Sequence, residues 1–533
     1  MHSRASRLCG AAMIALIAGF AVAAPHAASS QAIEQGSLAE LDPWAVGAIS
    51  RDQALPRDLW RQSDPTALGL LFDRITTNVG SPAGARLARQ ALLSPSLPPP
   101  GDTIIAARKR YEALARMGLA DEIVSMVSGS GEAKRDPGIV LYATQADLAR
   151  GRLNDACRRA VGINADAPPP FVLRLRALCV AAAGEKDAAD LALEVARAAG
   201  ANDVWFDSVI ATINGAPPAR AAVARYDTSL NAAASLAAKL RAPPQNGLLN
   251  ASSFALSMVA RDENAAPALR VQAAAKALRQ NTITPTVARA AVRGQGTQRG
   301  AAILASAVDE TEAAANPYAQ ALAIESGLKR SKPHGEFAAM ARLFAPEIAN
   351  MRADVGTAPA AATFTRAALA TADYRTAQTW RAAADLAPAN VPLLTILDLA
   401  LAAGTNDTAN VAALADRRIE MAGPAGARLA SRDLRALVAL GMPIGPNAEA
   451  FLVRTPAAVG RKPDPALMAQ LSAASARRAA GEVAIHAALA LGEGAETLDA
   501  TELVILITAM RDAGIGDAAR AIAVEAIIGG QAR

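Results

Sequence analysis

Three short stretches of the chain decide how it folds, and they read LARMGLAD at residues 114–121, LARGRLNDA at 148–156 and AAAGEKDAA at 181–189. In each stretch a glycine separates two helix-favouring segments, and these glycines, Gly118, Gly151 and Gly184, lie thirty-three residues apart in turn. Glycine adopts the backbone conformation that a tight turn requires. The alanines beyond it let a second helix pack closely against the first. A period of this length predicts an array of helix-turn-helix units.

Similar units recur later in the chain. Gly481 and Gly514 are again thirty-three residues apart, and each precedes a run of alanines. A further unit at residues 370–388 fits the same frame, with Asp373 at the glycine position and Pro388 after the second helix. Proline stops a helix because it lacks the amide hydrogen and clashes with the preceding turn. The sequence therefore predicts paired helices near both ends of the array.

These units resemble tetratricopeptide repeats, in which a small residue forms the turn, alanines line the second helix and a proline follows it. The best match contains Gly151, Ala156, Ala160 and Pro168, although the tryptophan and the Leu-Gly pair of the family's first helix are missing. The resemblance extends over roughly residues 100–205 and 360–400, with weaker echoes at 475–530. It implies a right-handed α-solenoid of antiparallel helix pairs, elongated or curved, with a concave groove for a protein segment. The alternative is a helical bundle without a true repeat, because an alanine-rich chain produces chance matches.

The composition also favours helices throughout. Hydrophobic residues make up 52% of the 533 residues and are largely alanine, whereas aromatic residues make up only 3%. Nothing in the sequence alternates with the period of two that marks strands. We therefore expect an all-α fold with many small contacts between neighbouring helices.

The first residues have the pattern of a secretory leader. Arg4 and Arg7 precede an apolar stretch from Cys9 to Ala23, and Ala21-Val22-Ala23 offers a small-x-small cleavage pattern. We expect cleavage between Ala23 and Ala28 and a periplasmic mature protein. A retained membrane anchor is the alternative, but about fifteen apolar residues fall short of the roughly twenty needed to span a bilayer. No later segment is apolar enough, so we expect no integral membrane segment after cleavage.

The sequence predicts five consecutive segments. They are the signal peptide at 1–28, an N-terminal capping helical segment at 29–100, tetratricopeptide-like repeats at 101–215, irregular helical repeats at 216–355 and C-terminal tetratricopeptide-like repeats at 356–533. In the irregular part we expect amphipathic helices over 218–240 and 265–278.

Trp44 and Trp60 are two aromatic residues of the capping segment in an otherwise aromatic-poor chain. We interpret them as covers for the first repeat, and partner binding is the alternative.

The residue types needed for chemistry are scarce. His334 and His486 are far apart in sequence, and no C-x-x-C or H-x-x-x-H spacing exists, so we expect no metal and no cofactor.

The loop GQGTQRG at 294–300 lacks the preceding strand and the Gly-Lys-Ser/Thr end of a phosphate-binding loop, so we interpret it as a turn. The carboxylates of Asp309, Glu310 and Glu312 are interpreted as solvated helix residues. A net charge of +5 without a basic tract gives no indication of nucleic-acid binding.

Cys157 and Cys179 are the cysteines that remain after leader cleavage, and they are predicted to form a disulfide. An oxidising compartment favours the bond. In the repeat frame Cys157 lies early in the second helix of one unit, and Cys179 lies near the end of the first helix of the next. The alternative is a pair of free thiols packed in the helix interface.

Together these features predict a non-catalytic scaffold that binds an envelope protein or peptide in a concave groove. The alternative is a protein associated with the cell wall or a polysaccharide, with or without hydrolytic activity. This alternative rests on architecture alone, because the chain resembles the helical superhelix of soluble lytic transglycosylases only in its arrangement of helices. The sequence shows no glutamate-centred catalytic domain of that family.

Overall fold

A computed structural model describes residues 42–75, 80–163, 168–216, 222–243, 247–296, 302–388 and 390–530. The predicted signal peptide at 1–28 lies outside these residues. The described residues are helical with no named strand, so the predicted all-α class is confirmed. Across the same ranges, none of the helices combines the length and the apolar character that a membrane crossing requires.

Twenty-six α-helices occur within the described ranges. The first thirteen are α1 Pro65–Asp73, α2 Pro82–Leu93, α3 Ile104–Arg116, α4 Ala120–Gly129, α5 Gly131–Arg135, α6 Pro137–Ala149, α7 Leu153–Val161, α8 Pro170–Ala182, α9 Lys186–Ala198, α10 Val204–Ile213, α11 Ser229–Ala237, α12 Ser253–Arg261 and α13 Pro267–Arg279. The others are α14 Pro285–Val292, α15 Ile303–Glu312, α16 Pro317–Arg330, α17 His334–Asn350, α18 Ala361–Thr371, α19 Tyr374–Ala384, α20 Val391–Thr405, α21 Val411–Ala439, α22 Pro446–Arg454, α23 Pro465–Ala476, α24 Ala480–Leu491, α25 Ala500–Asp512 and α26 Gly516–Gly529. Helix α21 is interrupted at Gly423, whose φ and ψ are 56° and −171°.

The predicted turns at Gly118, Gly151 and Gly184 are confirmed. Their φ angles are 76°, 74° and 84°, a region that glycine occupies without steric cost. At Gly151 the glycine amide donates to the Leu148 carbonyl at 2.8 Å, and the next amide, of Arg152, donates to the Asp147 carbonyl at 2.9 Å. This pair of bonds satisfies carbonyls that the end of a helix leaves free. The following helix begins two residues after the glycine in all three units.

Two of the predicted turn positions are wrong by one or a few residues. Between α18 and α19 the left-handed residue is Ala372, with φ 60°, and Asp373 instead caps α19 by accepting from the Thr376 amide. Between α23 and α24 it is Arg478, with φ 56°, whereas Gly481 lies inside α24. Gly481 is therefore not the turn residue of this unit, and it has a packing role described below.

The irregular middle of the chain differs in part from the prediction. A helix was expected over 218–240, but within the described residues it spans only Ser229–Ala237. Thr228 begins it by accepting from the Asn231 amide, and the Ala224 amide pairs with the Arg241 carbonyl outside it. The helix expected over 265–278 is present as α13.

The predicted disulfide joins Cys157 of α7 to Cys179 of α8, with their Cα atoms 5.8 Å apart. These helices belong to consecutive units and pack against each other, as expected. The bond therefore ties one helix pair to the next across residues 164–167, which lie outside the described ranges.

Helices from the early and the late part of the described chain pack together. Helix α2 contacts α24 and α26, and α26 also contacts α18 and α20. One hydrophobic cluster accordingly combines side chains of residues 44–149 with those of 436–526. Early and late helices are thus neighbours, and α2 lies at this junction.

Trp44 and Trp60 belong to this junction. Their side chains are 1% and 0% exposed, so neither is available to a partner. Trp60 lies edge-on to Phe72, with 5.4 Å between ring centroids, and its ring contacts the backbone of Gly481 in α24. A Cβ atom at Gly481 would lie 2.3 Å from the indole, which explains the glycine at a helical position. The tryptophans therefore link the N-terminal segment to the C-terminal helices.

Arginine side chains donate hydrogen bonds to free carbonyls at the C-terminal ends of several helices. Arg110, fully buried, donates to the carbonyls of Leu92 and Ser94 at 2.7 and 3.0 Å where α2 ends. Arg461 does the same for Leu491 at the end of α24, at 2.9 Å. A guanidinium suits this place because helix C-termini carry free carbonyls and partial negative charge.

Candidate ligand-binding site

Helix α2 is held at the junction by a buried carboxylate. Glu525 of α26 accepts hydrogen bonds from Ser81 Oγ and the Ala83 amide, both at 2.6 Å, and from the Ala495 amide at 2.8 Å. Burial raises the pKa of Glu525, although these donors and the charge of Arg86 oppose the shift. The carboxylate lies at the N-terminus of α2, where the helix dipole favours negative charge. This contact fixes how α2 presents its other face.

That other face carries Arg86 and Arg89, which are three residues apart and therefore neighbours on the helix surface. Arg86 donates to the Ala370 carbonyl at 3.1 Å, near the end of α18. Arg89 donates to the Asn281 carbonyl at 3.1 Å, beyond the end of α13, and pairs with Glu122 at 2.5 Å. Two arginines of one helix thus contact three distant parts of the chain.

Two cavities meet at these arginines. One, here called the arginine cavity, has a volume of about 630 Å³, and the other, called the neighbouring cavity, has a volume of about 930 Å³. Residues that line both are Arg86, Arg89, Asn281 and Thr371. Volumes of this size are typical of sites for small molecules or parts of larger ligands.

Seven charged side chains contribute to the lining of the arginine cavity. Arg279 and Arg342 join the two arginines of α2, and Glu336, Glu493 and Glu496 lie among them. Arg279 and Glu336 form an ion pair at 3.2 Å. Four arginines against three glutamates leave an excess of one positive charge in the lining.

Arg342 of α17 is a buried cation of the cavity. Burial, together with the positive charges of Arg86 and Arg89, lowers its pKa to about 10. Its Nη2 atom donates to the Leu278 carbonyl at 2.7 Å, while its buried Nε atom has no hydrogen-bond partner. Burial also lowers the pKa of Arg86. Arginine side chains remain protonated in proteins, so the positive charge of Arg86 disfavours that of Arg342.

His334 also lines the arginine cavity but adds no charge at neutral pH. Its side chain is buried, stacked on Phe337 with 6.3 Å between ring centroids. Burial and the charge of Arg366 lower the pKa of His334 to about 3. His486, the other histidine considered from the sequence, lies in α24. In the described ranges no three histidine, cysteine or acidic side chains come together as metal ligands would.

The loop that begins at Gly294, compared above with a phosphate-binding loop, directs backbone amides to a carboxylate of the chain itself. The amides of Gly294 and Gly296 donate to the two carboxylate oxygens of Asp309, at 2.8 and 2.6 Å. Residues 297–300 lie outside the described ranges. Glu310 and Glu312 pair with Arg330 and Arg293 at the end of α15, so the three carboxylates have structural partners.

Sequence reasoning missed the arginines of the cavity. Arg86 and Arg89 look like ordinary surface residues of an amphipathic helix, and Arg342 lies more than two hundred residues away. Only the packing of α2 between early and late helices brings them together. Comparison of the chain with protein-family models, with curated proteins and with solved structures gives no match.

Proposed function

We propose that the mature chain is an exported, non-catalytic protein that binds a protein or peptide partner in the bacterial envelope. The observation that carries the proposal is the pair of cavities that meet at Arg86 and Arg89. The leader pattern and the disulfide support an oxidising, extracytoplasmic location. Sites of this kind, between packed helices, commonly bind ligands.

The proposed architecture is a tetratricopeptide-like right-handed solenoid. Six helix pairs are joined in the same way, by one residue in the left-handed conformation followed by one capping residue. These pairs are α3 and α4, α6 and α7, α8 and α9, α18 and α19, α23 and α24, and α25 and α26. Such repetition is expected when each unit stacks on the next. Because α2 contacts α24 and α26, the proposed solenoid is curved rather than elongated.

The neighbouring cavity is the proposed entrance for the partner. Its lining combines apolar side chains, including Ile49, Leu55 and Leu93, with polar ones such as Asp52 and Gln53. Binding surfaces often have this mixture, in which apolar area supplies affinity and a few polar groups fix orientation.

We expect Gln53→Trp to block partner binding. Gln53 is exposed at the neighbouring cavity. The hydrogen bonds that it makes within the described residues use its backbone, since its carbonyl accepts from Gln90 Nε2 and its amide donates to the Ser50 carbonyl at 3.1 Å. An indole there would therefore fill the opening while these bonds remain. The measurement is quantitative mass spectrometry of envelope proteins captured on the immobilised mature chain. Partners retained by the unaltered protein should fall by about tenfold or more, equivalent to about 1.4 kcal/mol of binding free energy.

Gln272→Trp is the matched control, because Gln272 is an exposed glutamine of α13 that lines neither cavity. This variant should retain the same partners. Equal capture by both variants would contradict the proposed entrance, and conversion of an envelope substrate by the unaltered protein would contradict the non-catalytic role.

A further inference from the structure

In the arginine cavity, two cations form no direct ion pair among the described residues, although the charge of Glu525 acts on one of them, Arg86. Arg86 and Arg342 come from α2 and α17, and both line the cavity. Their hydrogen bonds go to backbone carbonyls, of Ala370 and of Leu278 and Arg279. Within the part of the chain that the structure describes, neither guanidinium forms an ion pair with a carboxylate. By contrast, Arg89 and Arg279 have Glu122 and Glu336 as partners.

Such an arrangement costs free energy unless a ligand offsets it. Buried charges are normally paired, because removal of a charge from water is expensive. Here two like charges lie close enough for Arg86 to lower the pKa of Arg342, and the buried Nε atom of Arg342 still lacks an acceptor. An anion between the guanidinium groups would relieve the repulsion and provide acceptors for both.

The charge of the whole lining limits which anion fits. With Glu336, Glu493 and Glu496 in the same cavity, the excess is one positive charge. Arg89 is already paired with Glu122 outside the lining, so little positive charge is left for a ligand. A phosphate dianion would add twice the negative charge of a single carboxylate beside the three glutamates, and the lining therefore favours the carboxylate. Planar guanidinium groups also match the two oxygens of a carboxylate.

We propose that the arginine cavity binds a singly charged organic carboxylate, with its oxygens between the guanidinium groups of Arg86 and Arg342. The volume of about 630 Å³ leaves room for an organic part of small-molecule size. The carboxylate belongs either to a free small acid or to the C-terminus of a polypeptide. This inference goes beyond partner binding, since it assigns a ligand site that purified protein alone should show.

Isothermal titration calorimetry on the purified mature chain tests the site with chosen probes. The probes are sodium hexanoate, its neutral analogue hexanamide, inorganic phosphate, and acetyl-pentaalanine with a free or an amidated C-terminus. Hexanoate should bind at least about tenfold more tightly than hexanamide or phosphate, as the charge-assisted hydrogen bonds predict. Tighter binding of the free-acid peptide would identify a polypeptide source, and binding of hexanoate without the peptide would identify a small acid.

Arg342→Gln should weaken hexanoate binding by at least about tenfold. The matched control is Arg176→Gln, because Arg176 also donates to helix-end carbonyls, of Ala160 and Ile163, but lines neither cavity. Equal affinity for hexanoate and hexanamide, tighter binding of phosphate, or unchanged affinity in folded Arg342→Gln would overturn the proposal. The acid-against-amide comparison uses the unaltered protein, so it decides the matter even if the variant fails to fold. Because no partner is present, failure here is distinguishable from failure of partner capture.

Discussion

Replacement of Trp60 with alanine is expected to lower the free energy of unfolding of the junction by about 3–5 kcal/mol, as for other buried aromatic side chains. Trp60 is fully buried and lies edge-on to Phe72 and to Trp44, with centroid distances of 5.4 and 6.3 Å. It also covers the backbone of Gly481 in α24. Its removal would leave a cavity between early and late helices of the described chain, and this cavity cannot collapse without breaking their contact.

Urea unfolding followed by circular dichroism measures this effect. Trp205→Ala is the control, because Trp205 is only partly buried and its indole donates to the Val223 carbonyl at 3.0 Å. We expect a loss several times smaller there. The reciprocal variant Gly481→Ala should also destabilise, although alanine normally favours a helix, because its Cβ would lie 2.3 Å from the indole. A similar loss for Trp60→Ala and Trp205→Ala would refute the role of Trp60 at the junction.

Removal of the disulfide by Cys157→Ala and Cys179→Ala together is expected to lower the free energy of unfolding by about 3 kcal/mol. The cysteines are 22 residues apart in sequence, and on chain-entropy grounds the bond restricts a loop of that length in the unfolded chain. It also ties α7 to α8, the adjoining helices of two units.

Unfolding with and without dithiothreitol checks this prediction. Reductant should lower the unfolding midpoint of the unaltered protein and leave the double variant unchanged. Two reactive thiols in the oxidised, denatured protein, or the same midpoint with and without reductant, would show that the bond does not form or does not stabilise.

The features that the sequence predicted correctly depend on neighbouring residues. The turns at Gly118, Gly151 and Gly184 follow from local backbone preference, because glycine adopts a positive φ easily. The Cys157–Cys179 bond also joins consecutive units, so the repeat frame alone placed its ends on packed helices. Local rules failed where Ala372 and Arg478 took up the left-handed conformation, since neither residue type signals it.

The candidate site depends on contacts that no local pattern reveals. Gly481 was interpreted as a turn because its spacing fitted the period, yet its role is to accommodate Trp60, more than four hundred residues earlier. Arg86 and Arg342 form a site only because α2 packs between early and late helices. Their charge and spacing in the sequence are those of solvated helix residues, so the sequence contained no signal for the cavity.

Early and late helices of the described chain pack together around the cavities, and cysteine cross-linking tests this packing most directly. Arg74 and Gln470 are exposed, and Arg74 Nη1 donates to Gln470 Oε1 at 3.0 Å. The variant with Arg74→Cys and Gln470→Cys, expressed without residues 1–28 so that Cys9 is absent, is treated with a short bismaleimide, and each single variant serves as a control. The account predicts a cross-link within the monomer, identified by mass spectrometry as one joined peptide pair, in the double variant alone. Two unlinked cysteines, or cross-links only between separate molecules, would contradict the account.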